Sequence, residues 1–170
     1  MAPMGASAAP IRPRMMARPA PSRILLPRPY QEGTTPVRVL IVDDHDGFRA
    51  ALASAVALVE GMDVAGEASS GEEAVEVAVA LRPDVIIMDL SMPGISGIEA
   101  TRRIRRRLPG MPVVILTAHA DPAIGRDARA AGAAGFVPKG SSFEALIQVV
   151  REAGGGEAAN PDTEDMANGA

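Results

Sequence analysis

The sequence predicts an α/β fold, a doubly wound five-stranded parallel sheet with five helices. Two observations carry this. Short β-branched apolar runs alternate with stretches of helical apolar spacing five times between Val37 and Glu152. Four of the runs end at an Asp, a Thr or a Lys, where open parallel sheets gather their chemistry.

The first run, Val37-Arg38-Val39-Leu40-Ile41-Val42, suits a buried strand and stops at Asp43-Asp44. Phe48, Leu52, Ala55, Val56 and Val59 then recur on one side of a helix that Gly61 ends. Val64 begins a second, short strand. Ser70 and Glu73 have capping-box spacing, Ala74, Val75, Ala78 and Leu81 follow at helical spacing, and Pro83 closes that helix. Val85-Ile86-Ile87-Met88 is a third strand running into Asp89, and Pro93-Gly94 reads as a tight turn. A helix follows over Ile98 to Leu108. Val113 to Leu116 is a fourth strand ending at Thr117.

Asp121-Pro122 reads as an N-cap followed by Pro at the first helical position. The helix it opens ends at Gly132. Gly125 in its interior costs about 1 kcal/mol relative to Ala, so this helix is expected to be the least stable. Gly135-Phe136-Val137 is a fifth strand ending near Lys139. Ser141 and Glu144 form a further capping-box candidate, ahead of the apolar face of Phe143, Leu146, Ile147 and Val150.

Charge and proline divide the 170 residues in three. Residues 1–36 carry five Arg, one Glu and eight Pro, and read as disordered, because such proline density denies them a helix or a sheet interior. A docking arm, a targeting segment and a start site further downstream are the alternatives. Residues 37–152 are the folded domain. Residues 153–170 hold four acids, no basic residue and Gly154-Gly155-Gly156, and read as a disordered acidic tail.

Composition excludes several classes of function. The absence of Cys removes disulfide scaffolds, thiol nucleophiles and thiolate metal sites. Two His residues, His45 and His119, argue against a multi-histidine zinc site. Four aromatic residues are too few for base or sugar stacking. The net charge of −4 does not favour nucleic acid as the main partner, and no apolar run is long enough to span a membrane.

Asp43, Asp44, Asp89, Thr117 and Lys139 are the residues the strand ends select. Three converging carboxylates repel one another and call for a divalent cation, a proton or an ammonium. An all-oxygen site suits Mg²⁺, and Lys139 offers the ammonium. Lys139 is the one Lys beside sixteen Arg, and a compact ammonium differs from a guanidinium fork in a tight pocket. A carboxylate, a hard metal, a cation and a hydroxyl around one point is what phosphoryl transfer to an aspartate requires.

The segments VLIVDD (39–44), VIIMDLSMPGISG (85–97), VVILTA (113–118) and GFVPKG (135–140) resemble the receiver domain of bacterial two-component response regulators, the CheY-like family. That resemblance implies the flavodoxin-like strand order 2-1-3-4-5. It implies Asp89 as phospho-acceptor, and Asp43, Asp44, Asp89 and the Ser91 carbonyl as Mg²⁺ ligands. It makes Thr117 the switch hydroxyl, Phe136 the switch aromatic and Lys139 the lysine that meets the phosphoryl group. Catalysis would be Mg²⁺-dependent self-phosphorylation and self-dephosphorylation through Asp89, Lys139 and Thr117. Ser91 and His119 fall where the family tunes hydrolysis. The chain departs from the pattern where Pro138 precedes Lys139 and Gly140 follows it. Many receivers have Lys-Pro with a cis peptide there.

The partners implied are a histidine kinase or phosphotransfer protein and an unidentified downstream protein, in the cytoplasm, with a dimer on phosphorylation allowed for. The acidic, Gly-rich end leaves no recognition helix. The expectation is therefore a single-domain regulator that signals by phosphorylation-dependent protein contact, without direct DNA binding and without a membrane. The contact face is expected on the fourth helix, fifth strand and fifth helix, beside the Thr117–Phe136 couple. A metal-dependent phosphatase with an aspartate nucleophile, or a receiver-like module that binds unphosphorylated, are the competing readings.

Other features have plain explanations. The Arg102, Arg103, Arg105, Arg106 and Arg107 run suits a solvated helix end, with Glu99 pairing Arg103, although it could also meet an acidic partner or nucleic acid. His45 reads as an exposed His at a helix start, with pH sensing or kinase contact as the alternative. Met88 reads as core.

Overall fold

The structure, a computed structural model, describes residues 35–118 and 121–155. His119, most of the basic segment and most of the acidic tail lie outside these residues. Ten elements alternate in order: β1 (Val37–Val42), α1 (Asp46–Val56), β2 (Met62–Ala68), α2 (Gly71–Leu81), β3 (Val85–Asp89), α3 (Gly97–Arg107), β4 (Val113–Thr117), α4 (Pro122–Ala130), β5 (Gly135–Pro138) and α5 (Phe143–Gly154). The sheet order is β2-β1-β3-β4-β5 and every pairing is parallel, as expected.

Alternate residues of a strand point to opposite faces, so each strand feeds two cores. Val39, Ile41, Ile87, Val114 and Leu116 pack with Leu52 and Val56 of α1 and Leu146, Ile147 and Val150 of α5. Leu40, Val42, Ile86, Met88, Val113 and Ile115 pack with Ala74, Ala78, Ala100 and Ile104 of α2 and α3, and with Ala128 of α4. β3 and β4 are buried along their whole length, which explains their unbroken apolar runs. Ala128 is the one buried residue of α4, so that helix holds to the sheet by little.

Several boundaries differ from expectation. α1 ends at Val56 rather than Gly61, and β2 starts at Met62 rather than Val64, because Met62 pairs with Val37 in the ladder. Phe48 is 38% exposed instead of facing the core. α3 starts one residue early because Ser96 caps it, its Oγ accepting from Glu99 N at 3.3 Å. Ser142, not Ser141, caps α5, its Oγ accepting from Ala145 N at 3.2 Å. Ser141 N is already engaged in a turn with the Pro138 carbonyl at 2.9 Å.

The capping box at α2 forms by half. Ser70 Oγ accepts from Glu73 N at 3.1 Å, but the Glu73 carboxylate turns to Ser69, accepting from its N at 2.7 Å and its Oγ at 2.8 Å. Asp121 caps α4 as expected, accepting from Ala123 N at 2.8 Å. α5 continues past Glu152 to Gly154, where a Cβ would lie 2.8 Å from Val37 Cγ1 and 3.0 Å from Val85 Cγ1. The absent side chain lets the last turn close onto the sheet.

Candidate functional site

The register of the sheet assembles the site. Val42 pairs with Met88, so Asp43 and Asp89 emerge side by side from β1 and β3. Thr117 pairs with Pro138, which brings Lys139 to the same edge, and Lys139 N donates to the Thr117 carbonyl at 2.7 Å. Lys139 Nζ then donates to Asp43 Oδ2 at 2.7 Å and stands 2.9 Å from Asp89 Oδ1. The side chains of Asp43 and Asp89 are 1% and 4% exposed and that of Lys139 22%. One ammonium thus bridges two carboxylates that would otherwise repel each other in a poorly solvated place.

Burial pushes the Asp89 carboxyl above the ordinary carboxylate range. The hydrogen bond and charge of Lys139 act against that rise, while the charges of Asp43 and Asp44 add to it. Burial disfavours the charged form of Lys139, yet its bonds to Asp43 and Asp89 prevail and hold its pKa above the ordinary lysine value.

Asp43 is satisfied from several sides. Its Oδ1 accepts from His45 N at 2.8 Å, and its carbonyl accepts from Arg49 at 2.6 Å. Asp44 is more open, and its Oδ1 lies 3.1 Å from His45 Nδ1. One ligand atom each from Asp43, Asp44 and His45 falls within a 4.8 Å set. This set contains the acid pair expected from the sequence with an imidazole at its rim, and Asp89 is not part of it.

Thr117 is buried at the end of β4. Phe136 lies two residues before Pro138 on β5 and packs, partly buried, toward the α4 side of the sheet. It lines a cavity of about 370 Å³ with Pro122, Gly125 and Arg129. Ser91 is exposed in the loop after β3. Gly94 makes the turn of that loop at φ 82°. Glu72 pins the loop from α2, accepting from Ile95 N at 3.0 Å. No peptide bond among the described residues is cis. Pro138 ends an edge strand, where a missing N–H is tolerated, and Lys139 still reaches both carboxylates.

Three supporting residues escaped the sequence reading. The Phe48 ring lies 4.6 Å from Lys139 Nζ, within reach of a cation–π contact. Arg49 ties the Asp43 carbonyl to Asp46 Oδ1 at 2.5 Å. Gly97 leaves room for the Asp89 carbonyl, which a Cβ there would strike. Phe48 and Arg49 sit one turn past the acid pair, and Gly97 closes the GISG segment. Those positions were the available signals.

The donor set of Asp43, Asp44 and Asp89 is all carboxylate oxygen, which is the chemistry a hard divalent cation takes. The residues present therefore fit a Mg²⁺-class ion.

The comparisons with known proteins agree with this geometry. The family model of the response regulator receiver domain matches residues 39–151. The chain belongs to the response regulator receiver family. Response regulator GacA of Pseudomonas aeruginosa is 40% identical over 121 residues, covering 71% of this chain and 56% of that protein. The receiver domain of the NarL response regulator from Mycobacterium tuberculosis superposes with a TM-score of 0.68 at 35% identity. It covers 72% of this chain and 98% of that domain.

One expectation is corrected here. A single-domain regulator with no DNA-binding output does not stand, because the receiver spans only about half the length of curated relatives such as GacA. A two-component response regulator of the LuxR family from Aurantimonas sp. SI85-9A1 superposes with a TM-score of 0.69 at 34% identity, covering 72% of this chain and 87% of that one. No helix among the described residues is long and apolar enough to cross a membrane.

Proposed function

We propose that this receiver accepts a phosphoryl group on Asp89 from the phosphohistidine of a kinase or phosphotransfer partner in the cytoplasm. The observation that carries the reading is the Lys139 bridge, 2.7 Å to Asp43 and 2.9 Å to Asp89. An Asp89 carboxylate oxygen attacks phosphorus, the P–N bond breaks, and the departing imidazole nitrogen keeps the electron pair and takes up a proton. Lys139 favours the ionised, nucleophilic form of Asp89 beforehand and pairs with a phosphoryl oxygen afterwards. Thr117 offers its hydroxyl to that group, and Phe136 repacks with it. Water then attacks the phosphorus of the acyl phosphate, the P–O bond to Asp89 breaks, and inorganic phosphate leaves with the Asp89 carboxylate restored.

Asp43, Asp44, Asp89 and the Ser91 carbonyl would hold Mg²⁺, which supplies charge neutralisation at the phosphoryl oxygens. Incubation with acetyl phosphate and Mg²⁺, followed by a phosphate-affinity gel beside Asp89→Asn, tests the reading. A Mg²⁺-dependent retarded band that the variant lacks supports it, and equal mobility of the two proteins refutes it.

A further inference from the structure

We propose that the acidic segment of residues 156–170 folds back onto the arginine face of α3, an ionic contact within the chain that is independent of the phosphoryl chemistry. α3 carries Arg102, Arg103, Arg105, Arg106 and Arg107, five of the twelve basic residues between positions 37 and 152. The remainder of that stretch holds seven basic residues against fifteen acids outside α3. A segment with Glu157, Asp162, Glu164, Asp165 and no basic residue is therefore repelled by most of the domain and attracted by α3.

The cations of α3 are unequally matched. Glu99 stands 2.9 Å from Arg103 and 3.7 Å from Arg102, and Glu76 of α2 stands 2.6 Å from Arg107. Among the described residues no carboxylate comes within ion-pair distance of Arg105 or Arg106. Arg105 Nη1 donates to the Met111 carbonyl at 3.3 Å, which leaves its charge unbalanced. Arg102 has Arg105 and Arg106 three and four positions on, so like charges meet on one helix face and an anion there relieves them.

The fold delivers the acidic segment to this place. α5 ends at Gly154, and Arg105 meets that end across a groove of about 400 Å³ lined also by Gly110, Pro112, Gly132 and Ala153. Glu152 borders the groove with the same charge as the segment, but its carboxylate accepts from Gln148 Nε2 at 3.0 Å. Two cations nearby are held by backbone carbonyls, Arg151 by Glu60 at 3.0 Å and Arg38 by Leu81 at 3.0 Å. Extended chain from Gly155 to Asp165 spans up to about 35 Å, whereas Arg102 to Arg106 rises only about 6 Å. A single exposed ion pair contributes little, but a short tether holds the acids at a roughly millimolar effective concentration, where several charges act together. The basic residues 1–36 are the competing occupant, because Gly154 packs against Val37. Their five Arg are spread from Arg12 to Arg28, whereas a helix already holds those of α3 together, so less order has to be imposed.

The chain has no Cys, so Ala167→Cys gives the full chain a single site for a nitroxide label. Paramagnetic broadening of its backbone amides is read at about 10 mM and about 1 M NaCl, where the screening length is about 30 Å and about 3 Å. At low salt the amides of residues 102–111 should broaden more than those of α1, which packs on the other face of the sheet. High salt should abolish that difference. So should Arg102→Gln with Arg106→Gln, both at exposed positions, and so should Glu157→Gln, Asp162→Asn, Glu164→Gln and Asp165→Asn together. Equal broadening on both faces, indifference to salt and charge, or broadening centred on residues 1–36 overturns the inference. A mixture of nitroxide-labelled ¹⁴N protein and unlabelled ¹⁵N protein should show no broadening of α3. Broadening there makes the contact one between copies and overturns the inference as well.

Discussion

The ammonium of Lys139, at the end of an edge strand, reaches past β4 to stand 2.9 Å from Asp89 Oδ1 at the end of β3. The same nitrogen holds Asp43 Oδ2 at 2.7 Å, so the charge balance of the sheet edge depends on a single lysine. Without it, two buried carboxylates face each other.

Lys139→Ala is therefore expected to lower stability by about 3 kcal/mol in Mg²⁺-free buffer. Urea unfolding measures the loss. Added Mg²⁺ should recover part of it, since a cation then replaces the missing charge. A variant as stable as wild type without Mg²⁺ would contradict the bridge.

Asp89→Asn should do the opposite near neutral pH. Burial raises the Asp89 pKa in the fold, so its contribution is favourable below the pKa of the unfolded chain and is lost as pH rises through the folded value. Asparagine carries no such penalty. The expected outcome is a melting temperature a few degrees above wild type at pH 7, with the gap closing as pH falls toward about 4. A gap that does not change with pH would refute the burial of charge at this position.

Two glycines should respond with opposite sign. A Cβ on Gly97 strikes the Asp89 carbonyl, so Gly97→Ala should cost about 2 kcal/mol or more and displace the loop carrying Ser91. A Cβ on Gly125 in α4 meets nothing within 4 Å, and Gly125→Ala should stabilise by about 1 kcal/mol. Chemical denaturation gives both values. Amide exchange should show α4 opening first in wild type and becoming better protected in Gly125→Ala.

The acid pair, Asp89, Thr117 and Lys139 were legible because each stands at the end of an apolar strand, and parallel register brings strand ends together. The five strands and five helices were legible for the same reason, since runs such as Val85 to Met88 have one reading in a doubly wound sheet. Helix starts were harder to place. Ser141 and Ser142 are chemically equivalent, and only the turn that engages Ser141 N decides between them. Phe48 matched the apolar spacing of α1, and nothing in that spacing says that its ring meets the Lys139 ammonium just past β5 instead of the core. The close approach of Gly97 to Asp89 is a property of the folded loop, which a short segment of sequence does not encode.

The most direct test of the central claim is to phosphorylate the protein with acetyl phosphate and Mg²⁺, reduce it with borohydride and map the peptides by mass spectrometry. Borohydride converts an aspartyl phosphate to homoserine, so the account predicts homoserine at position 89 alone, and none in Lys139→Ala. Aspartate recovered intact at position 89, or homoserine at position 43 or 44, would contradict it.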